Sequence, residues 1–146
     1  MGWSGDLSRM GQLADRLSEL AAVPSAIARR VSATIDGLLE QEFAAGDDPY
    51  GDPWAPLAES TVERGRSAPP LTDSGAMRAS AHARPLAGAG VGITIDHPAA
   101  PHQTGWSGSR GAGPARPILP ARGELPESWD DAIAEIASDE FRRRVA

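Results

Sequence analysis

Proline and glycine leave only two long stretches of this chain free to form helices. The 146 residues include 13 Pro and 16 Gly, and the two ends escape the heaviest punctuation. At the N-terminal end apolar residues recur at Leu7, Met10, Leu13, Leu17 and Leu20, then at Ile27, Val31, Ile35, Leu38, Leu39 and Phe43. Spacings of three and four place such residues on one helix face. Pro24 interrupts the pattern, and proline suits the first turn of a helix but breaks an interior. The sequence therefore predicts a helical region over 6–44: two helices, about 6–22 and 24–44, or one helix kinked at Pro24. Gly46 is a suitable C-terminal stop. A second helix is expected over 128–145, with Trp129, Ile133, Ile136, Ala137, Phe141 and Val145 on one face. Ser128 and Asp131 resemble a capping box with Asp in place of Glu. Arg142 to Arg144 lie where cations suit the helix dipole.

The middle of the chain reads differently. Three prolines and two glycines within 46–58 forbid regular structure there, so this is a loop with Trp54 and Leu57 as anchors. Ser60 to Arg66 can form one helical turn. A short helix is expected within Thr72–Ser80, capped by Asp73 and turning Met77 inward. The period then changes to two. Ala81 to Leu86 form a weak strand, Val91, Ile93 and Ile95 share one face of a better one, and Ala87 to Gly90 supply the turn of a β-hairpin within 72–97. Residues 98–117 are rich in Pro, Gly and Ser and read as a second long loop, of the kind a partner orders. Pro117-Ile118-Leu119-Pro120 is a short apolar patch. The expected architecture is one α+β domain with both terminal helices packed on a small antiparallel sheet of 80–86 and 90–96, with 117–120 as a candidate third strand. Gly-Trp-Ser-Gly occurs at 2–5 and 105–108, too short a match to define a repeat.

Composition removes several function classes. There is no cysteine, so disulfides and thiolate metal sites are excluded. There is no lysine, which removes Schiff-base and P-loop chemistry. The net charge of −6 opposes bulk attraction to nucleic acid or to an anionic membrane. No apolar run approaches the roughly 20 residues that span a bilayer. Met1 to Asp6 lacks the basic and apolar regions of a signal peptide, and Asp6 stands where a myristoylation signal needs Ser or Thr. The chain is expected to act where it is made, in the cytoplasm. Only 2 Phe, 1 Tyr and 4 Trp are present. The core must come mostly from Ala, Leu, Ile and Val, a small core of the kind that neighbouring subunits complete.

Candidate chemistry is sparse. His97 and His102, with Asp96, could supply three zinc ligands, but solvated or hydrogen-bonded histidines are the simpler reading. Asp73-Ser74-Gly75 lacks the Gly-x-Ser-x-Gly elbow of a serine nucleophile, as do both Gly-Trp-Ser-Gly copies. Asp47, Asp48 and Asp52 sit among prolines and read as turn formers, not as paired catalytic carboxylates. The glycine-rich run 105–113 has no Gly-Lys-Ser/Thr ending to make it a phosphate loop. Arg110, Arg116 and Arg122, with Trp106, could contact nucleic acid by phosphate binding and stacking, or make salt bridges and subunit contacts. No catalytic residue, metal or cofactor is assigned.

The order of motifs is more informative than any one of them. Pro49-Tyr50-Gly51-Asp52-Pro53-Trp54-Ala55-Pro56-Leu57 is followed by Ser60-Thr61 and by Leu71-Thr72-Asp73-Ser74-Gly75-Ala76-Met77-Arg78-Ala79-Ser80. Then come Ala99-Ala100-Pro101-His102-Gln103-Thr104-Gly105 and Pro114-Ala115-Arg116-Pro117-Ile118-Leu119. Over about residues 25–120 this order resembles the virion morphogenesis, or tail-completion, family of Mu-like phages and their prophage relatives. Two departures are Ala99-Ala100, where a Tyr often precedes the Ala, and Ile118, where Phe is commoner. The resemblance implies a non-enzymatic virion protein of the neck that joins head to tail. It implies a six-fold or twelve-fold ring whose partners are further copies of itself, the head connector, and the tail terminator or tail tube, with passing contact to DNA and none to membrane. Its expected interaction residues are Pro53, Trp54, Leu57, Leu71, Gly75, His102, Gln103, Gly105, Arg116 and Pro117. Trp54 would be a rigid anchor, Gly75 would permit close backbone approach, and Arg116 would pair a carboxylate in bidentate fashion. A tail-terminator or other tail ring protein is the main alternative, and a phage hydrolase or metal-dependent nuclease a third.

Overall fold

A computed structural model of the chain describes residues 15, 17, 21–65, 70–72, 74–87, 90–95, 99–109 and 111–146. The expected helix 6–22 lies largely outside these; within it Asp15, Leu17 and Ala21 are helical. The central helix α1 is Val23–Ala45, with Pro24 in its first turn and Ala22 as the preceding cap. Proline thus starts this helix, as its missing N–H allows. Val31, Ile35, Leu39 and Phe43 recur every four residues along its buried face. Gly46 ends it in the left-handed conformation (φ 77°), its N–H bonded to the Glu42 carbonyl at 2.8 Å, the conformation a glycine adopts without strain.

Two short helices, α2 (Glu59–Glu63) and α3 (Ala76–Ser80), lead into the hairpin. Strands β1 (His82–Pro85) and β2 (Val91–Thr94) pair antiparallel, with Ala83 opposite Ile93 and Arg84 opposite Gly92. Ala83 is buried, and Val91, Ile93 and Ile95 pack on the core, so the alternation read from the sequence selects the inner face. Asp36 of α1 accepts the Ala83 N–H at 2.5 Å and fastens β1 to the helix.

Residues 98–117 are not the structureless loop expected. They contain a third short helix, α4 (Ala99–Thr104), and a small hairpin, β3 (Trp106–Gly108) with β4 (Gly111–Gly113). Pro101 falls early in α4, where it does not break the helix. Gly113 leaves room for the Trp106 indole, which lies where a side chain at 113 would stand. The described residues thus hold two two-stranded sheets. Segment 117–120 joins neither, although Ile118 is completely buried.

The C-terminal helix α5, Glu127–Val145, packs on α1. Its N-cap is Pro126, with no side-chain cap. Ser128 lies inside the first turn, so the expected capping box is absent. Glu127 and Asp130 in that turn, and Arg142 to Arg144 in the last, complement the helix dipole. Trp129 and Ile136 are buried and Ile133 half-buried, but Phe141 and Val145 are about half exposed, at 54% and 50%. The buried side chain at this end is instead Glu140, paired with Arg30 of α1 at 2.9 Å; Arg30 also reaches Asp139 at 2.6 Å. An ion pair therefore replaces the apolar contact read from periodicity. The core joins both long helices, the first hairpin, Trp54 and Ile118. It confirms an α+β fold with helices at both ends. No described helix is long and apolar enough to cross a membrane.

Candidate interaction site

The motif residues converge on one stretch of backbone, 116–121. Loop 46–58 forms one side. Asp48 organises its tip: its Oδ1 accepts the N–H groups of Tyr50 and Asp52, each at 2.9 Å, an Asx turn of the sort expected for aspartates among prolines. Asp47 and Pro53 form a bridge across the loop, and Trp54 returns its N–H to the Gly46 carbonyl at 2.8 Å. Trp54 is buried, its ring edge-on to Phe43 with centroids 5.5 Å apart. Its indole N–H donates to the Pro117 carbonyl at 2.7 Å. Leu57 is half-buried beyond it.

Arg116 reaches the same loop from the other side. Its Nε donates to the Ala55 carbonyl and its terminal nitrogen to the Pro56 carbonyl, both at 2.7 Å. The guanidinium fork is thus filled by two main-chain oxygens, not by the carboxylate expected from sequence. Burial lowers its pKa, and the two carbonyls hold the charge in place. Tyr50 completes the bracket. Its hydroxyl accepts the Ala121 N–H at 2.8 Å and donates to the Glu124 carbonyl at 2.7 Å.

Helix α4 supplies the opposite wall through Gln103. The amide oxygen accepts the N–H groups of Ile118 and Leu119 at 2.9 Å each, and the amide nitrogen donates to the Leu119 carbonyl at 2.7 Å. One side chain therefore satisfies what a neighbouring strand would otherwise satisfy, which is how Ile118 is buried without its segment joining a sheet. The His102 carbonyl accepts the Arg116 N–H at 2.6 Å. Burial, and then the Arg116 cation, lower the pKa of the His102 ring, and its Nδ1 is buried without a hydrogen-bond partner.

Two glycines differ from the sequence reading. Gly105 (φ 77°) is the close approach: a Cβ there would stand 3.0 Å from the Gly113 carbonyl and 3.1 Å from the Ala115 nitrogen. Gly75 has open space around it and is required by its φ of 72° at the start of α3. Leu71 adopts φ 66°, a costly conformation for a residue with a side chain, and packs against the core. It stands apart from the cluster at 116–121, as does Gly75.

The other candidate chemistry does not assemble. Among the described residues no group of three His, Asp or Glu side chains is placed to hold a metal; Asp96 and His97 lie outside them. Ser74 accepts the Ala76 N–H in a local turn, and Asp73 lies outside the described residues. Within the glycine run 105–113, Trp106–Gly108 and Gly111–Gly113 pair as antiparallel strands. Arg122 and Trp106 are exposed while Arg116 turns inward, and Arg110 is not among the described residues, so the structure does not bring Arg116, Arg122 and Trp106 together on one surface.

Sequence reasoning missed Glu42. It is buried on α1, both carboxylate oxygens lack a partner, and it lines a cavity of about 280 Å³ beside Asp47, Asp48 and Trp129. Burial, reinforced by the Asp48 charge, pushes its pKa up to about 8. Its spacing of three from Leu39, on the core stripe, is the signal that could have revealed it.

No curated protein and no solved structure matches this chain. Residues 6–141 match the phage virion morphogenesis family, a span that contains every motif converging on 116–121. On that match the chain belongs to the phage virion morphogenesis family, whose members serve in building the phage particle.

Proposed function

We propose that this protein completes the neck of a tailed phage, assembling as a six-fold or twelve-fold ring between the head connector and the tail, and that it is not an enzyme. One observation carries this reading. Three of the polar side chains that the motifs provide, Trp54, Gln103 and Arg116, hold the backbone of one segment, 116–121, or of the loop beside it. Each is turned toward main chain, where it stiffens a surface, and none is presented to a substrate. A small protein that must hold one shape between two larger assemblies needs such rigidity, because ordering loops on contact weakens binding. The negative net charge suits a lumen through which DNA slides without sticking.

The test is electron microscopy of particles from a producer lacking this gene. Full heads and finished tails lying apart support the joining role. Joined but non-infectious particles overturn it, and tails of abnormal length beside normal heads would assign the protein to termination of the tail instead.

A further inference from the structure

An open apolar groove of about 560 Å³ runs between α1, β2, residues 119–125 and α5. Ile27, Val31, Val91, Ile93, Leu125 and Ile133 are among its walls. Ile27, Val91, Ile93 and Ile133 are only half-buried, and Leu125 is 55% exposed. The groove is continuous with the core, since several of its wall residues belong to the core cluster or pack on it. A chain with few large side chains thus leaves part of its core face open to water.

The same chain carries a segment of matching chemistry. Leu7, Met10, Leu13, Leu17 and Leu20 form an apolar stripe at helical spacing ahead of α1. Leu17 is helical and 57% exposed, so its own fold does not cover it. Leu17 is not among the residues that line the groove, so in the single chain the described position of the stripe stands outside it.

We propose that the groove receives residues 7–20 from a second copy of this chain, each copy passing its N-terminal stripe to the next. This is helix-in-groove recognition with anchors at three- and four-residue spacing. Fourteen residues of helix span about 21 Å, longer than the roughly 12 Å from Ile27 to Ile35 that forms the α1 wall. The interface is heterologous, one surface giving and a different one receiving, and such contacts close into rings when the rotation permits. The proposal rests on the ring reading above and names the contact that would build it.

The chain has no cysteine, which makes disulfide trapping specific. Leu17→Cys and Leu125→Cys are each made singly in the full-length chain; both positions are exposed, so neither substitution disturbs the core. The two variants are mixed and oxidised, and the linked peptides are identified by mass spectrometry. A two-chain species joined through positions 17 and 125 is the expected result. The variant carrying both cysteines should then form a ladder of linked chains on a non-reducing gel. A closed single chain from the double variant would mean that the stripe folds back on its own groove, and overturns the proposal. Absence of any 17–125 linkage, or linkage only between identical positions, overturns it as well. The gene-deletion experiment fails separately: separated heads and tails without this linkage would keep the neck role and discard this contact, while linkage with normally joined particles would do the reverse.

Discussion

The indole N–H of Trp54 donates to the carbonyl of Pro117 at 2.7 Å, and this single bond ties together two motifs that lie 63 residues apart in the chain. The ring itself is buried against Phe43. Packing and hydrogen bond can therefore be separated. Trp54→Phe keeps most of the apolar contact and leaves the Pro117 carbonyl without this donor, a loss of about 1–2 kcal/mol. Trp54→Ala also opens a cavity and should cost about 3–5 kcal/mol. Denaturant unfolding monitored by circular dichroism measures both: an unchanged stability in Trp54→Phe would mean that the hydrogen bond contributes nothing, and equal losses in the two variants would mean that the ring's packing adds nothing beyond it.

Gln103 makes three hydrogen bonds to Ile118 and Leu119, and its removal is expected to loosen one segment before it unfolds the domain. In Gln103→Leu two buried N–H groups and one carbonyl lose their partner, at about 1–3 kcal/mol for each group left unsatisfied. Amide exchange at residues 118 and 119 should accelerate by at least about tenfold, the ratio that 1.4 kcal/mol of local opening produces, while amides in the middle of α1 keep their protection. Uniform acceleration across the chain would show that the segment opens only with the whole fold.

The terminal helices and the first hairpin were legible because each rests on a local rule: three- and four-residue spacing in α1 and α5, alternation at Val91, Ile93 and Ile95, and glycine after Phe43 as a stop. The convergence on 116–121 was legible only as a list of motifs. Nothing local reveals that Gln103 substitutes for a strand, or that Arg116 turns to the carbonyls of Ala55 and Pro56, since both partners are set by tertiary placement. The end of α5 misled for the same reason. Phe141 has the right spacing to be buried, but Arg30 stands opposite on α1, and pairing with Asp139 and Glu140 rotates charge toward the interface. The hairpin β3–β4 escaped notice because glycine and serine carry no alternation to read.

Two glycines with nearly the same backbone angle should respond differently to alanine. At Gly75 (φ 72°) a Cβ meets nothing within 4 Å, so Gly75→Ala incurs only the cost of a left-handed residue, about 1 kcal/mol. At Gly105 (φ 77°) the Cβ also meets the Gly113 carbonyl at 3.0 Å and the Ala115 nitrogen at 3.1 Å. Both are main chain and yield little, so Gly105→Ala should cost clearly more, on the order of 2–3 kcal/mol. Thermal unfolding of the two variants side by side checks the ranking, and a smaller loss at 105 than at 75 would contradict the close approach.

Glu42 gives the protein a stability that falls as pH rises. Its carboxyl is held at about 8 in the fold, against 4.5 for the free side chain, first by burial and then by the Asp48 charge. The folded chain therefore keeps this proton across a range in which the unfolded chain has released it. The contribution is full below about pH 4.5, declines through the interval, and is lost once pH exceeds about 8. Glu42→Gln has no proton to lose and preserves the shape, so its stability should not carry this slope. Near pH 4.5 the variant and the parent should unfold alike. At about pH 9 the variant should be more stable by on the order of 2 kcal/mol, a full pKa unit being worth about 1.4 kcal/mol and part of the effect being screened at the cavity mouth. Chemical denaturation at several pH values measures the difference. Parallel pH profiles for the two proteins would mean that Glu42 titrates in the fold as it does in water, through a hydrated cavity that leaves its charge stable.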